Sequence, residues 1–229
     1  MLAGGKAERL GEAAAGRPKA LVEVAGKPIA AYQVSQLARV GVDRVLVSCA
    51  AGQEEAFASA LAGLGPEIVP VGEPQPLGRG GGIRLAASAR RERDDLFALN
   101  GDELVDVDLR ALLEHHRSSG AAATITVVPL RSPFGVVDLD GDLVLGFREA
   151  PALEHWVSCG VYVLSDEALQ RFPERGDHET SAFPELAAEG RMRAHRHEGV
   201  WLTVNTPKDL RVASDFLASN PGWPADARG

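Results

Sequence analysis

The chain has 229 residues, 45% of them hydrophobic, enough for one α/β domain with a substantial core. A formal net charge of −8 without a long basic run argues against nucleic acid or an anionic membrane as the main partner. No apolar run approaches the roughly 18 residues of a membrane span and no leader pattern opens the chain, so a cytoplasmic location is expected.

The first segment carries the strongest signal. Adjacent Gly4 and Gly5 follow Leu2 and Ala3, and with no Cβ in the way their backbone N–H groups can approach an anion. Arg9 and Lys19 supply positive charge across a loop holding Gly11, Gly16 and Pro18. Neither G-x-G-x-x-G nor G-x-x-x-x-G-K-[ST] spacing is present, so this phosphate grip differs from the two commoner glycine loops. Only Met1, Leu2 and Ala3 precede it, fewer than the four or five apolar residues of a feeding strand, which leaves open a start upstream of Met1.

Downstream, apolar runs at 44–48, 67–71, 96–99 and 123–128 predict strands, and periodic Leu, Ala and Val predict helices over 29–40, 54–64, 83–92 and 109–118. Such alternation implies a Rossmann-like α/β three-layer sandwich around a mostly parallel sheet. A small antiparallel addition is expected from a hairpin, strands 135–139 and 143–147 about a turn at Asp140 and Gly141. Further strands are expected at 157–164, 192–197 and 200–204, with a helix near 166–171. Thr206 and Pro207 open a last helix as N-cap and first-turn residue. Residues 1–220 read as a single domain, and the tail 221–229, rich in Pro and Gly, as frayed.

Asn100, Gly101 and Asp102 follow the strand at 96–99, at the carboxyl end where ligands of open α/β sheets collect. Asp102 is the first choice for a Mg2+ ligand, because magnesium binds carboxylate and phosphate oxygens together. Asp106 and Asp108 read as helix-start carboxylates. Cys49 and Cys159 lack zinc spacing and read as reduced core thiols. His115 and His116 sit on a polar helix; His195 and His197 sit on an edge strand, where solvent exposure is expected over metal binding, and no histidine is assigned a catalytic role.

Taken in order, Leu2 to Gly5, Arg9 and Leu10, Pro18 and Lys19, and Gly26 to Pro28 resemble the signature of nucleotidyltransferases that activate sugar 1-phosphates. The likeness runs from Leu2 to Leu210. It implies an NTP and a small phosphorylated acceptor as partners, with Leu2, Ala3, Gly4, Gly5, Gln75, Gly78, Gly80 and Gly81 on the nucleotide, the last three letting base edges meet the backbone. It gives Arg9 the leaving pyrophosphate and Lys19 the α-phosphate and acceptor. It implies a second metal ligand in the segment 201–207, where Thr203 stands in place of the usual aspartate, and Asn205, whose side-chain carbonyl suits magnesium, is favoured over Thr203. Gly135, Glu149, Ser158 and Gly160 match the sugar-side elements. The family's lysine there is Ala150 here, so Arg148 or Arg131 is a substitute for the lost cation.

Within the same superfamily, Val204 to Leu210 also resembles the late segment of molybdenum cofactor or cobinamide-phosphate guanylyltransferases. A catalytically silent nucleotide-binding subunit is the reading from another class, suggested by Ala7, Ala150 and Thr203. Guanine is preferred on resemblance alone. Homo-oligomerisation is compatible with the sequence, and the acceptor does not follow from it.

Overall fold

A computed structural model of the chain describes residues 1–224. After a 3-10 segment, Glu8–Ala14, and a 3-10 turn, Lys19–Leu21, come β1 (Glu23–Val24), β2 (Lys27–Pro28) and helix α1 (Ile29–Arg39). Then follow β3 (Arg44–Ala50), α2 (Glu54–Ala60), β4 (Glu67–Glu73), α3 (Gly78–Ala87), β5 (Leu96–Leu99), β6 (Glu103–Val105), α4 (Leu109–Ser119) and β7 (Ala123–Arg131). The remainder comprises β8 (Val136–Asp140), β9 (Leu143–Arg148), β10 (Ala152–Leu164), α5 (Asp166–Arg171), a 3-10 turn at His178–Thr180, α6 (Ala182–Ala188), β11 (Met192–Arg196), β12 (Trp201–Thr203) and α7 (Pro207–Ser219).

The short apolar start is an inserted strand. Leu2 N–H donates to the Leu99 carbonyl and Ala3 N–H to that of Ser48, while Leu2 and Met1 carbonyls accept from Gly101 and Ser48. Three residues therefore join the parallel pair β3 and β4 to β5, and β5 continues through β10 and β7 to β11. The chain is mixed α/β. The mostly parallel expectation needs correction at β10, which runs antiparallel to both β5 and β7, because the 13-residue strand returns through the sheet after the β8–β9 hairpin instead of through a crossover helix.

Alternation along β10 sends Cys159, Val161 and Val163 to one apolar cluster and Tyr162 and Leu164 to another, the consequence of a two-residue side-chain period. The first cluster includes α1, α2 and α4 and the second α3, α5 and α6, so helices cover both faces. A third cluster packs Leu10, Ala14, Val22 and Val24 against Leu104, Val204, Ala213 and Leu217, anchoring the segment after the glycine pair to α7.

Several local expectations are corrected by packing. The 83–92 helix begins earlier, at Gly78, and ends at Ala87; α2 stops at Ala60; α6 carries no strong periodic signal in its seven residues yet buries Ala182, Phe183 and Leu186. The tail is not frayed through 221–224: Trp223 packs against Tyr32 and Phe216, with ring centroids 6.1 and 5.8 Å away. Residues 225–229 of that tail lie outside the described residues. Both cysteines are buried free thiols, as expected, and burial pushes Cys49 up to about 11 and Cys159 up to about 12.

Candidate active site

The inserted strand ends at Ala3, β5 at Leu99, β4 at Glu73, and α3 starts at Gly78, so their ends meet at one side of the sheet. There a cleft of about 940 Å³ is lined by Leu2 to Glu8, by Gly16 to Ala20, by Glu73 to Pro76, and by Gly78, Asn100, Asp102 and Glu103.

On its wall Lys19 Nζ donates to Asp102 Oδ2 at 2.6 Å and to Asn205 Oδ1 at 2.7 Å; Lys19 and Asp102 line the cleft, and Asn205 lies outside the lining. These groups come from positions 83 and 186 residues away from Lys19 in sequence. Each is placed by backbone. The N–H of Lys19 donates to the Gly5 carbonyl at 3.2 Å, closing the loop that the glycine pair opens. Asn205 precedes the capping box of α7, in which Thr206 Oγ1 accepts from Asp209 N–H while the Asp209 carboxylate accepts from the N–H groups of Asn205 and Thr206. Asp102 sits on a turn pinned from below by α1: buried Gln33 donates to the carbonyls of Asn100 and Glu103, both at 2.6 Å, and Gln36 to that of Val105. Thr203 pairs with Glu103 in the β12–β6 ladder, one strand position before the chain turns to Asn205.

Glu103 is a cleft residue that the sequence did not single out. Its Oε2 accepts from Trp201 Nε1 at 2.8 Å, and burial pushes its carboxyl up to about 7, with the Trp201 hydrogen bond opposing and the Asp102 charge adding. Glu73 is another: it accepts from Ser48 Oγ at 2.6 Å and from Leu77 N–H at 3.0 Å. Lys6, Arg17 and Arg79 add cations to the lining. The available signal for Gln33 and Gln36 was a pair of amides three apart on the apolar face of α1, a spacing that puts both under the same turn.

A family model described as nucleotidyl transferase matches residues 1–220. The chain belongs to that family. It is 32% identical over 239 residues to the mannose-1-phosphate guanylyltransferase of Mycobacterium tuberculosis, covering 98% of this chain and 66% of that one. It is 32% identical to the mannose-1-phosphate guanylyltransferase catalytic subunit beta of Drosophila pseudoobscura pseudoobscura, covering 92% and 59%. The chain thus spans about three fifths to two thirds of the length of these curated relatives. In fold it resembles HddC from Yersinia pseudotuberculosis, with a TM-score of 0.72 at 21% identity, covering 94% of this chain and 97% of that one.

Within this chain, the residues expected at the site divide. Leu2, Ala3, Gly4, Gly5, Gln75 and Gly78 line the cleft with Lys19 and Asp102. Arg9 is exposed on the 3-10 segment and lies outside the lining. Gly80 and Gly81, expected beside a base, lie outside it too, because α3 presses there on the 174–178 backbone. A Cβ on Gly80 would fall 2.8 Å from His178 N, and one on Gly81 2.6 Å from Glu174 O. Arg79 is drawn to the same segment, pairing with Asp177 and Glu179.

On the expected acceptor side, Gly160 takes a φ of +72° at a register shift in β10 and supports the site indirectly, its carbonyl accepting from Asn100 N–H. Ser158 Oγ donates to the Tyr162 hydroxyl oxygen at 3.3 Å. Gly135 packs under the Phe147 ring, Glu149 is exposed beyond β9, and Arg148 pairs with Asp138 across the hairpin. None of these, nor Arg131, is among the cleft-lining residues.

The carboxylates and histidines also sort differently from expectation. Asp108 caps α4, accepting from Arg110 and Ala111 N–H at 3.0 Å, as expected. Asp106 instead binds His197 Nε2 at 2.8 Å and Val200 N–H at 2.7 Å, tying β11 to the approach of β12. His197 is therefore not exposed, and His116 is buried against Thr124, because α4 turns that side of its last turn onto β7. No group of three His, Cys, Asp or Glu able to hold a metal occurs among the described residues.

Proposed function

We propose that this chain transfers a nucleoside monophosphate from an NTP to a sugar 1-phosphate, releasing pyrophosphate. The observation that carries this is the Lys19 ammonium, on the cleft wall, held between Asp102 and Asn205. GTP and mannose 1-phosphate are the first substrates to test, since relatives covering nearly all of this chain carry the name mannose-1-phosphate guanylyltransferase.

Two oxygens already converge on one positive charge, a donor set that fits a hard divalent cation completed by water and phosphate oxygens. Asp102 and Asn205 would hold Mg2+, which supplies neutralisation of the triphosphate charge. Gly4 and Gly5 offer backbone N–H groups, and Lys6 and Arg17 positive charge, to the phosphate chain. The acceptor phosphate oxygen attacks the α-phosphorus in line. A new P–O bond forms, the bond from the α-phosphorus to the bridging oxygen breaks, and pyrophosphate leaves with the electron pair. Lys19 stabilises charge on the α-phosphate and acceptor during that exchange, so catalysis is positioning and electrostatics without a covalent enzyme intermediate. Arg9, exposed on the 3-10 segment that follows the glycine pair, is the cation assigned to the leaving pyrophosphate.

A second reading, guanylyl transfer to a cofactor phosphate, is favoured by Asn205 at the ligand position and by the placement of Glu149 and Arg148 outside the cleft lining. Pyrophosphate release with the four NTPs against sugar 1-phosphates, molybdopterin and cobinamide phosphate separates the possibilities. Turnover with a sugar 1-phosphate that is lost in Asp102→Ala supports the first reading. Turnover only with a cofactor phosphate supports the second, and nucleotide binding without pyrophosphate identifies a silent binding protein.

A further inference from the structure

Arg84, Arg90, Arg91 and Arg93 crowd residues 84–93 of a chain whose net charge is −8. The last turn of α3 and the loop after it bring all four to one concavity of about 320 Å³. It shares no lining residue with the cleft, whose Gly78 stands at the other end of α3, about 15 Å away at the helical rise per residue. The lining sets four guanidinium groups against one carboxylate, that of Asp166 at the start of α5.

The helix end accounts for one of the four. Arg90 donates to the Ala87 carbonyl at 3.0 Å, to that of Asp94 at 3.2 Å and to Asp166 Oδ1 at 2.7 Å, where the helix dipole favours a cation. The other three are not used up in this way. Arg93 comes no closer than 3.5 Å to Asp166 Oδ2, beyond good hydrogen-bond distance, and that oxygen already accepts from Gln170 Nε2 at 3.0 Å. Arg84 donates to the Phe172 carbonyl and stands 3.7 Å from Glu174, and Arg91 meets Glu67 at 2.9 Å through one nitrogen, both carboxylates lying outside the lining. Most N–H donors of Arg84, Arg91 and Arg93 are therefore open, on side chains that are 42%, 68% and 83% exposed.

We propose that this concavity binds a small hydroxylated phosphate ester. Arginine forks match phosphate oxygens two at a time, and three of them converge here in an otherwise acidic molecule. The body of the ester has its own partners: the Asp166 carboxylate and the Gln170 amide oxygen accept from hydroxyl groups, and Ala87 and Leu169 add apolar surface. The volume lies at the small end of ligand pockets, enough for one sugar-sized ring with its phosphate.

Amide NMR titration of the isotope-labelled intact chain with glucose 6-phosphate, without nucleotide or magnesium, tests it. The phosphate of this probe is not on the anomeric carbon, so it is not an acceptor in the reaction proposed above. Amides of residues 84–93 and 165–170 should shift together with a dissociation constant of about 1 mM or tighter. Arg91→Ala combined with Arg93→Ala should weaken binding by about tenfold or more through lost charge-assisted contacts, with the melting temperature retained because both side chains lie mostly in solvent. Lys19→Met, in the cleft, should leave the constant unchanged, and inorganic phosphate should bind at the same amides more weakly than the ester. No shift at these amides up to about 10 mM ester overturns the proposal. So does binding that Lys19→Met weakens and the double variant does not, and inorganic phosphate binding as tightly as the ester denies the hydroxylated body its place. These readouts need no turnover, so they stand or fall separately from the catalytic reading.

Discussion

Lys19 is the residue on which the site turns, since its ammonium neutralises Asp102 and holds Asn205 in one geometry. Replacing it with Met should lower the rate of pyrophosphate release by about 10²–10³-fold, the usual cost of a lost transition-state charge contact. A fall in apparent nucleotide affinity with an unchanged maximal rate would assign Lys19 to ground-state binding instead. Two groups near and behind the cleft, half-buried Glu103 and buried His178, give opposite pH signatures. His178 is fully buried, stacked at 4.9 Å on Phe172, with neither ring nitrogen partnered among the described residues, and burial pulls its imidazole from 6.5 down to about 4. Below pH 6.5 the unfolded chain takes up the proton first, so stability falls as pH drops from 6.5 to 4, by roughly 3 kcal/mol in all. His178→Phe should abolish that acid slope in urea melts, and an unchanged slope would show that other groups cause it. Glu103 acts in the other direction. Its folded carboxyl titrates near 7 against an ordinary 4.5, so the stability it provides is complete below 4.5 and lost as pH rises through 7. Glu103→Gln should therefore raise the melting temperature at pH 8 and leave it nearly unchanged at pH 4.5; an equal change at both would point to packing.

Among the elements, α3 shows how one glycine run serves two purposes. Gly78 lines the cleft and, together with Gly80 and Gly81, lets the helix sit against the 174–178 backbone. Gly81→Ala should cost about 1–3 kcal/mol through overpacking, whereas Gly5→Ala, with nothing within 4 Å of the added Cβ, should leave the melting temperature unchanged. Comparable losses in both would mean that the glycine pair at 4–5 is also a packing feature. The strands and helices legible in the sequence were mostly those whose period or apolar run is long, such as β3, β7, α1 and α4. What escaped is tertiary in origin. β10 runs against its neighbours because a hairpin precedes it, and the start at Met1 to Ala3 is a strand only because β3 and β5 leave a gap for it. For Gln33 the spacing from Gln36 was legible but its role was not, since its two acceptors lie about 70 residues away in sequence.

For the whole molecule, the cleft exists because the inserted strand, β4, β5 and the approach to α7 all end on one side of the sheet. The cleft positions of Leu2 to Gly5, Lys19 and Asp102 could be read from the sequence, because glycine, cation and strand-end carboxylate each have a local reason to be there, whereas Arg9 lies outside the lining. The sugar-side set could not be placed that way: Gly135 and Glu149 belong to a hairpin that stands apart from the cleft, and Gly160 acts through Asn100. The most direct test of the central claim is the magnesium dependence of pyrophosphate release from GTP and mannose 1-phosphate for the wild type, Asp102→Ala and Asn205→Ala. The expected result is no measurable turnover for Asp102→Ala and, for Asn205→Ala, a magnesium requirement raised about tenfold or more with rate partly recovered at high magnesium. Wild-type magnesium response and rate in both variants would contradict a catalytic site built on Lys19, Asp102 and Asn205.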